Sequence, residues 1–138
     1  MEFDFAQGTE FEQKVMKWMW RIKKADAINL CKPDIYDVGT NTMIEAKYTR
    51  PYYDKMPSNP TAKDIGTGLP INQYNRYVKM REHGIRVVLI HKMSEGIHKD
   101  RIFISELTDD LVSKSIISDG GNTVYWLYDD LTIKNISI

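Results

Sequence analysis

The chain is nearly without cysteine. Cys31 stands alone among 138 residues, which excludes an intramolecular disulfide and a cysteine-rich zinc site. It has no apolar run approaching the length of a membrane span, so no membrane partner is expected. It has no excess of either charge: 19 Lys and Arg balance 19 Asp and Glu. Such a balance gives no global attraction to a polyanion. Repeats and low-complexity tracts are absent. The opening Met1-Glu2-Phe3-Asp4-Phe5 is acidic and lacks the basic leader of a signal peptide. The expectation from these absences is a cytoplasmic globular protein, with enough length for one compact domain.

What charge there is lies unevenly. Residues 1–100 carry 16 Lys and Arg against 13 Asp and Glu, and residues 101–138 carry 3 against 6. A solvated mixed surface explains this as well as a polyanion-facing half does.

Phe11, Val15, Trp18, Met19 and Ile22 recur at three- and four-residue steps, the period of an amphipathic helix from about Glu10 to about Lys24. Thr9 followed by Glu12 fits a capping box at its start. Lys14, Lys17, Arg21 and Lys24 form its polar face. Trp18, Met19 and Trp20 read as core residues rather than base-stacking platforms, although Trp20 falls off the apolar stripe. Pro70 suits the first turn of a second helix, which reaches about His83 with Gly84 as its cap. Ile85 to Ile90 is a near-continuous apolar run, the pattern of a central strand. Further strands are expected at Arg101–Ile104 and Thr123–Tyr128, with a short helix between Glu106 and Ile116. The tail from Leu131 reads equally as an edge strand or a helical turn. Arg50 to Leu69 holds three prolines and two glycines and reads as irregular. It is either a mobile surface loop or a flap that meets substrate through Arg50, Tyr52, Tyr53, Lys55 and Lys63. The order of elements predicts an α/β domain with a mixed sheet flanked by helices.

The chemistry concentrates around a hairpin. Asp34 to Val38 reads as one strand, Gly39-Thr40-Asn41 as a turn, and Thr42 to Thr49 as the partner strand. Ten residues separate Pro33-Asp34 from Glu45-Ala46-Lys47. On a strand, Glu45 and Lys47 share one face while Ile44, Ala46 and Tyr48 take the other. Two carboxylates on adjacent strands are hard-cation ligands, and a lysine beside them can orient a water. That is the equipment of metal-assisted phosphodiester hydrolysis. A solvated strand face accounts for Glu45 and Lys47 equally well by periodicity. A second match, Glu12-Gln13-Lys14, lies in a helix, where residues two apart diverge. His83, His91 and His98 are scattered, without metal-ligand spacing, and read as satisfied or solvated side chains. Asp37 reads as a turn residue.

Pro33-Asp34 with Glu45-Ala46-Lys47 resembles the PD-(D/E)xK nuclease superfamily, in its resolvase-like and RecB-like branches. Gly8-Thr9-Glu10-Phe11-Glu12 resembles the family's preceding helix, which often donates a glutamate. Gln73-Tyr74-Asn75-Arg76-Tyr77 resembles the QxxxY element of the RecB-like branch. The resemblance covers roughly residues 8–91. It implies a restriction-endonuclease-like fold with an α-β-β-α-β core over about 8–105, residues 106–138 adding a helix and a strand to a single domain. It implies Mg²⁺, with Mn²⁺ as a substitute, held by Asp34, Glu45, the Ala46 carbonyl and Glu12. Lys47 would activate water or stabilise the phosphate, and Gln73 would orient Lys47 or a phosphate. Arg50, Tyr52, Tyr53, Lys55, Arg76 and Tyr77 become the nucleic-acid-binding candidates. The implied activity is a metal-dependent endonuclease on DNA, structure-selective for branched or replicating DNA, acting as a homodimer. RNA stays open as a substrate. Two other readings remain: a nuclease-fold binding module without catalysis, and a small interaction protein whose acidic C-terminal third docks a partner.

Overall fold

In a computed structural model the described residues are 5–23, 27–31, 34–134 and 138. The first helix, α1, spans Phe5–Trp18 and runs into a π-helical turn, Met19–Lys23. Phe11, Val15, Met16 and Met19 are buried, and Gln13, Lys14, Lys17 and Arg21 are exposed, as the 3.6-residue period demands. Two expectations need correcting. The helix already includes Gly8 and Thr9, so Thr9 lies inside it and is not the first cap. Trp20 is not core: in the widened turn it is 48 % exposed. Lys24 lies outside the described residues.

Three antiparallel strands follow in sequence: β1 (Ala27–Cys31), β2 (Asp34–Asp37) and β3 (Thr42–Thr49). The β2–β3 turn is set by Asp37, which accepts from the Gly39 amide at 3.1 Å and the Thr40 hydroxyl at 2.6 Å. Asn41 there adopts φ 51°, a left-handed conformation that asparagine tolerates. The chain next forms β4 (Tyr52–Tyr53), β5 (Asp64–Pro70) and α2 (Ile71–Glu82). It returns through β6 (Arg86–Met93), parallel to β3. The remaining elements are β7 (Ile102–Glu106), α3 (Asp109–Ser113), β8 (Ile116–Ile117), β9 (Thr123–Leu127) and β10 (Ile133–Lys134).

Two sheets result. The first is six-stranded and mixed, in the order β1-β2-β3-β6-β7-β10; the second is four-stranded, β4-β5-β9-β8. The chain is therefore of α/β class. The stretch expected to be irregular is so only in part: residues 54–63 form turns and bends, but Asp64–Pro70 is a seven-residue strand paired with both β4 and β9. The expected central strand is central, with β3 on one side and β7 on the other.

Alternation along β3 and β6 gives the first sheet two different faces. Ile44, Ala46 and Ile90 pack with Phe11, Val15 and Met19 of α1. Met43, Val87 and Leu89 pack with Tyr77 of α2, Leu111 of α3, and Leu69, Val124 and Trp126 of the second sheet. A strand covered on both faces reads as a continuous apolar run, which is why β6 is so visible in the sequence. Glu45, Lys47 and Thr49 alternate with Ile44 and Ala46 and so share the face of Met43, toward the second sheet.

Candidate active site

The β2–β3 register sets Asp34 directly opposite Glu45. That pair is the last rung described on this side of β3, so Ala46 and Lys47 continue beyond the β2 ladder while still pairing with Ile90 and His91 of β6. Ala46 itself is buried, on the face covered by α1.

Glu45 is not on a solvated face. It is fully buried, at 0 % exposure, and one carboxylate oxygen, Oε2, meets Nε2 of His91, itself 1 % exposed. The other imidazole nitrogen, Nδ1, lies 3.1 Å from the Thr67 hydroxyl of β5, also buried. A carboxylate offers only lone pairs, so Nε2 is the nitrogen that donates to Glu45; the hydroxyl can serve Nδ1 as donor or acceptor. The result is a relay across three strands of two sheets: Glu45 on β3, His91 on β6, Thr67 on β5. Glu45 Oε1 is buried with no hydrogen-bond partner among the described residues. Leaving a buried acceptor unmatched costs about 1–3 kcal/mol.

Lys47 sits two residues on, partly buried. It lines a cleft of about 210 Å³ with Thr49, Arg50 and Tyr52 on one side and Gly68, Pro70 and Thr123 on the other. The cleft therefore lies where β3 faces the second sheet. Gln73 is in the first turn of α2, three residues past Pro70. Its Oε1 is buried without a partner among the described residues. Glu12 is 6 % exposed and comes from α1, whose Phe11, Val15 and Met19 pack on the Ile44 and Ala46 face of β3.

The residues expected to touch nucleic acid divide. Glu95, just after β6, engages two of them: Arg50 Nε at 3.2 Å and the Tyr53 hydroxyl at 2.7 Å. Burial, and then that hydrogen bond, push the Tyr53 phenol up to about 12. Tyr52 stacks on Tyr125 of β9, centroids 3.8 Å apart, and burial raises its phenol as well. Lys55 is exposed and donates to Thr61 at 2.9 Å. Arg76 is exposed with its guanidinium over the Tyr77 ring. Tyr77 is fully buried in the core, away from any ligand surface.

Sequence reasoning missed His91 and Thr67 as members of this constellation. The reading of His91 as a satisfied histidine holds, but its partner is Glu45 itself. Among the residues whose side chains are described, no group of three or more His, Cys, Asp and Glu is arranged to hold a metal ion, and none of the described helices is long and apolar enough to cross a membrane. What the described side chains offer a cation is one buried carboxylate oxygen, Glu45 Oε1, without a hydrogen bond among them, on a residue opposite Asp34 in register. Such a set fits a hard ion that takes most of its ligands from water and phosphate. No family model, no curated protein and no solved structure matches the chain.

Proposed function

We propose that the chain is a metal-dependent nuclease of restriction-endonuclease-like fold that hydrolyses phosphodiester bonds in DNA. The observation that carries this reading is the placement of Asp34 opposite Glu45, with Lys47 two residues on and lining an open cleft. Asp34 and Glu45 would hold Mg²⁺, and the unmatched Oε1 of Glu45 gives that ion a reason to bind. When bound, Mg²⁺ supplies the charge that polarises the scissile phosphate and makes its water acidic enough to attack. Lys47 brings a flexible ammonium to the same cleft, where it orients the attacking water or offsets charge developing on the phosphate oxygens. Gln73 supports a phosphate or Lys47 from the first turn of α2. Thr49 and Thr123, both on the cleft wall, offer hydroxyls to a nucleic-acid backbone. A homodimer would bring two such clefts to two strands.

One observation favours a second reading. Glu45 is fully buried and already engaged by His91, and Arg50 is engaged by Glu95. A fold that binds nucleic acid without cutting it would use both as structural pairs. The two readings separate in one experiment: linear, nicked, single-stranded and four-way-junction DNA incubated with the protein in Mg²⁺, Mn²⁺, Ca²⁺ or EDTA. Cleavage in Mg²⁺ or Mn²⁺ but not in EDTA supports the nuclease. Binding without cleavage under every metal supports the second reading.

A further inference from the structure

We infer that His91 is a positioning residue for Glu45: clamped by Thr67 from the second sheet, its imidazole fixes the carboxylate through Oε2 and leaves Oε1 to accept a divalent cation. The inference deepens the nuclease reading and rests on it.

Three observations meet here. First, both ring nitrogens of His91 are engaged, Nε2 by Glu45 and Nδ1 by Thr67 at 3.1 Å. A flip or rotation of the ring would break both contacts at once, inside a core where lost hydrogen bonds are not replaced by water. Second, only one oxygen of Glu45 is used. Oε1 is buried and has no hydrogen-bond partner among the described residues, so the clamp defines which oxygen remains for a ligand. Third, the register sets His91 beside Lys47 in the β3–β6 ladder. The clamp is thus next to the lysine that lines the cleft rather than at a distant point of the core.

The physical reason for such a clamp is geometric. A glutamate carboxylate on a long side chain rotates freely, and a hard cation gains little from a ligand that must first be ordered. A donor on the other oxygen, Oε2, removes that freedom before the cation arrives. Outer partners of this kind set the affinity of metal sites about as strongly as some ligands do. Thr67 extends the same logic one step outward. It ties the imidazole to β5, whose register pairs Thr67 with Trp126 of β9, so the second sheet acts as a brace for the site.

Mn²⁺ titrated calorimetrically into the full chain tests this apart from activity. His91→Leu should weaken Mn²⁺ binding by about 10- to 100-fold. His91→Gln, which keeps an N–H donor for Glu45, should recover most of the loss. Thr67→Val, close to isosteric, should weaken binding by roughly three- to tenfold; circular dichroism checks that each variant is folded, and Thr67→Val decides alone if His91→Leu does not fold. Folded variants that bind Mn²⁺ as tightly as the parent, or a glutamine no better than the leucine, overturn the inference. A parent chain that binds Mn²⁺ but cuts no nucleic acid removes the nuclease reading and leaves the clamp. A parent chain that cuts DNA while His91→Leu keeps full Mn²⁺ affinity removes the clamp and leaves the nuclease. A parent chain that binds no Mn²⁺ overturns both.

Discussion

Replacing Trp126 by alanine should remove about 4–6 kcal/mol of stability, most of it from the void left behind. The indole is fully buried, packs against the Tyr74 ring at 5.9 Å, and donates from Nε1 to the Leu111 carbonyl at 2.8 Å. Truncating a buried tryptophan costs about 3–5 kcal/mol, and losing the indole's hydrogen bond to a carbonyl that keeps only the Lys114 amide adds about 1 kcal/mol. At about 0.05–0.15 kcal/mol per residue a chain of this size holds roughly 7–20 kcal/mol in total, so the variant should stay folded but be visibly weakened. Trp126→Phe keeps a ring and loses the donor and some volume, and should cost about 1–3 kcal/mol. Urea melts followed by far-ultraviolet circular dichroism read both values, with the slope m unchanged if only the native state is affected. The reasoning depends on β9 being part of the core that covers Glu45, rather than an appendage behind it. A loss under about 1 kcal/mol for the alanine variant, within the range of an ordinary surface change, would refute it.

Two further outcomes follow from the same core. Gly66→Ala places a Cβ 1.9 Å from the Trp126 carbonyl oxygen and 2.9 Å from its carbon; backbone cannot yield as a side chain does, so at least about 2–3 kcal/mol should be lost, and a melting temperature equal to the parent's would contradict the β5–β9 pairing. At alkaline pH, Tyr53 has its folded pKa raised from 10.0 to about 12 by burial and by Glu95, and Tyr128 is raised by burial and by Asp64. For a phenol raised on folding, the stabilisation is complete below pH 10 and is lost as pH climbs through the folded value. Stability should therefore decline between about pH 10 and 12, and Tyr53→Phe should flatten part of that decline in chemical melts run across the range.

The helices and the central strand were legible because their burial is periodic. Phe11, Val15 and Met19 repeat on one face of α1, and β6 is apolar throughout because both its faces are covered. The hairpin was legible too, since Asp37 and Asn41 carry turn chemistry. β5 was not, because Gly66, Gly68 and Pro70 look like breakers. Gly66 and Gly68 are there because the β9 backbone approaches too closely for a side chain, a fact of tertiary structure. β1 is only five residues long, too short for a period of two to stand out. The site was half legible. Glu45 and Lys47 share a face by alternation, and the turn fixes Asp34 opposite. His91 joins Glu45 across 46 residues of sequence, and Thr67 joins His91 across 24, through a parallel register and a second sheet that no local spacing encodes.

The central claim stands on Lys47 and Glu45 acting together on phosphodiester bonds. The most direct measurement is the initial rate of cleavage of a labelled four-way junction in Mg²⁺ by the parent chain, by Lys47→Met and by Glu45→Gln, each first shown to be folded. The account predicts cleavage by the parent that EDTA abolishes, and a fall of at least about 100-fold in each variant. Cleavage that persists at the parent's rate in both folded variants would contradict it.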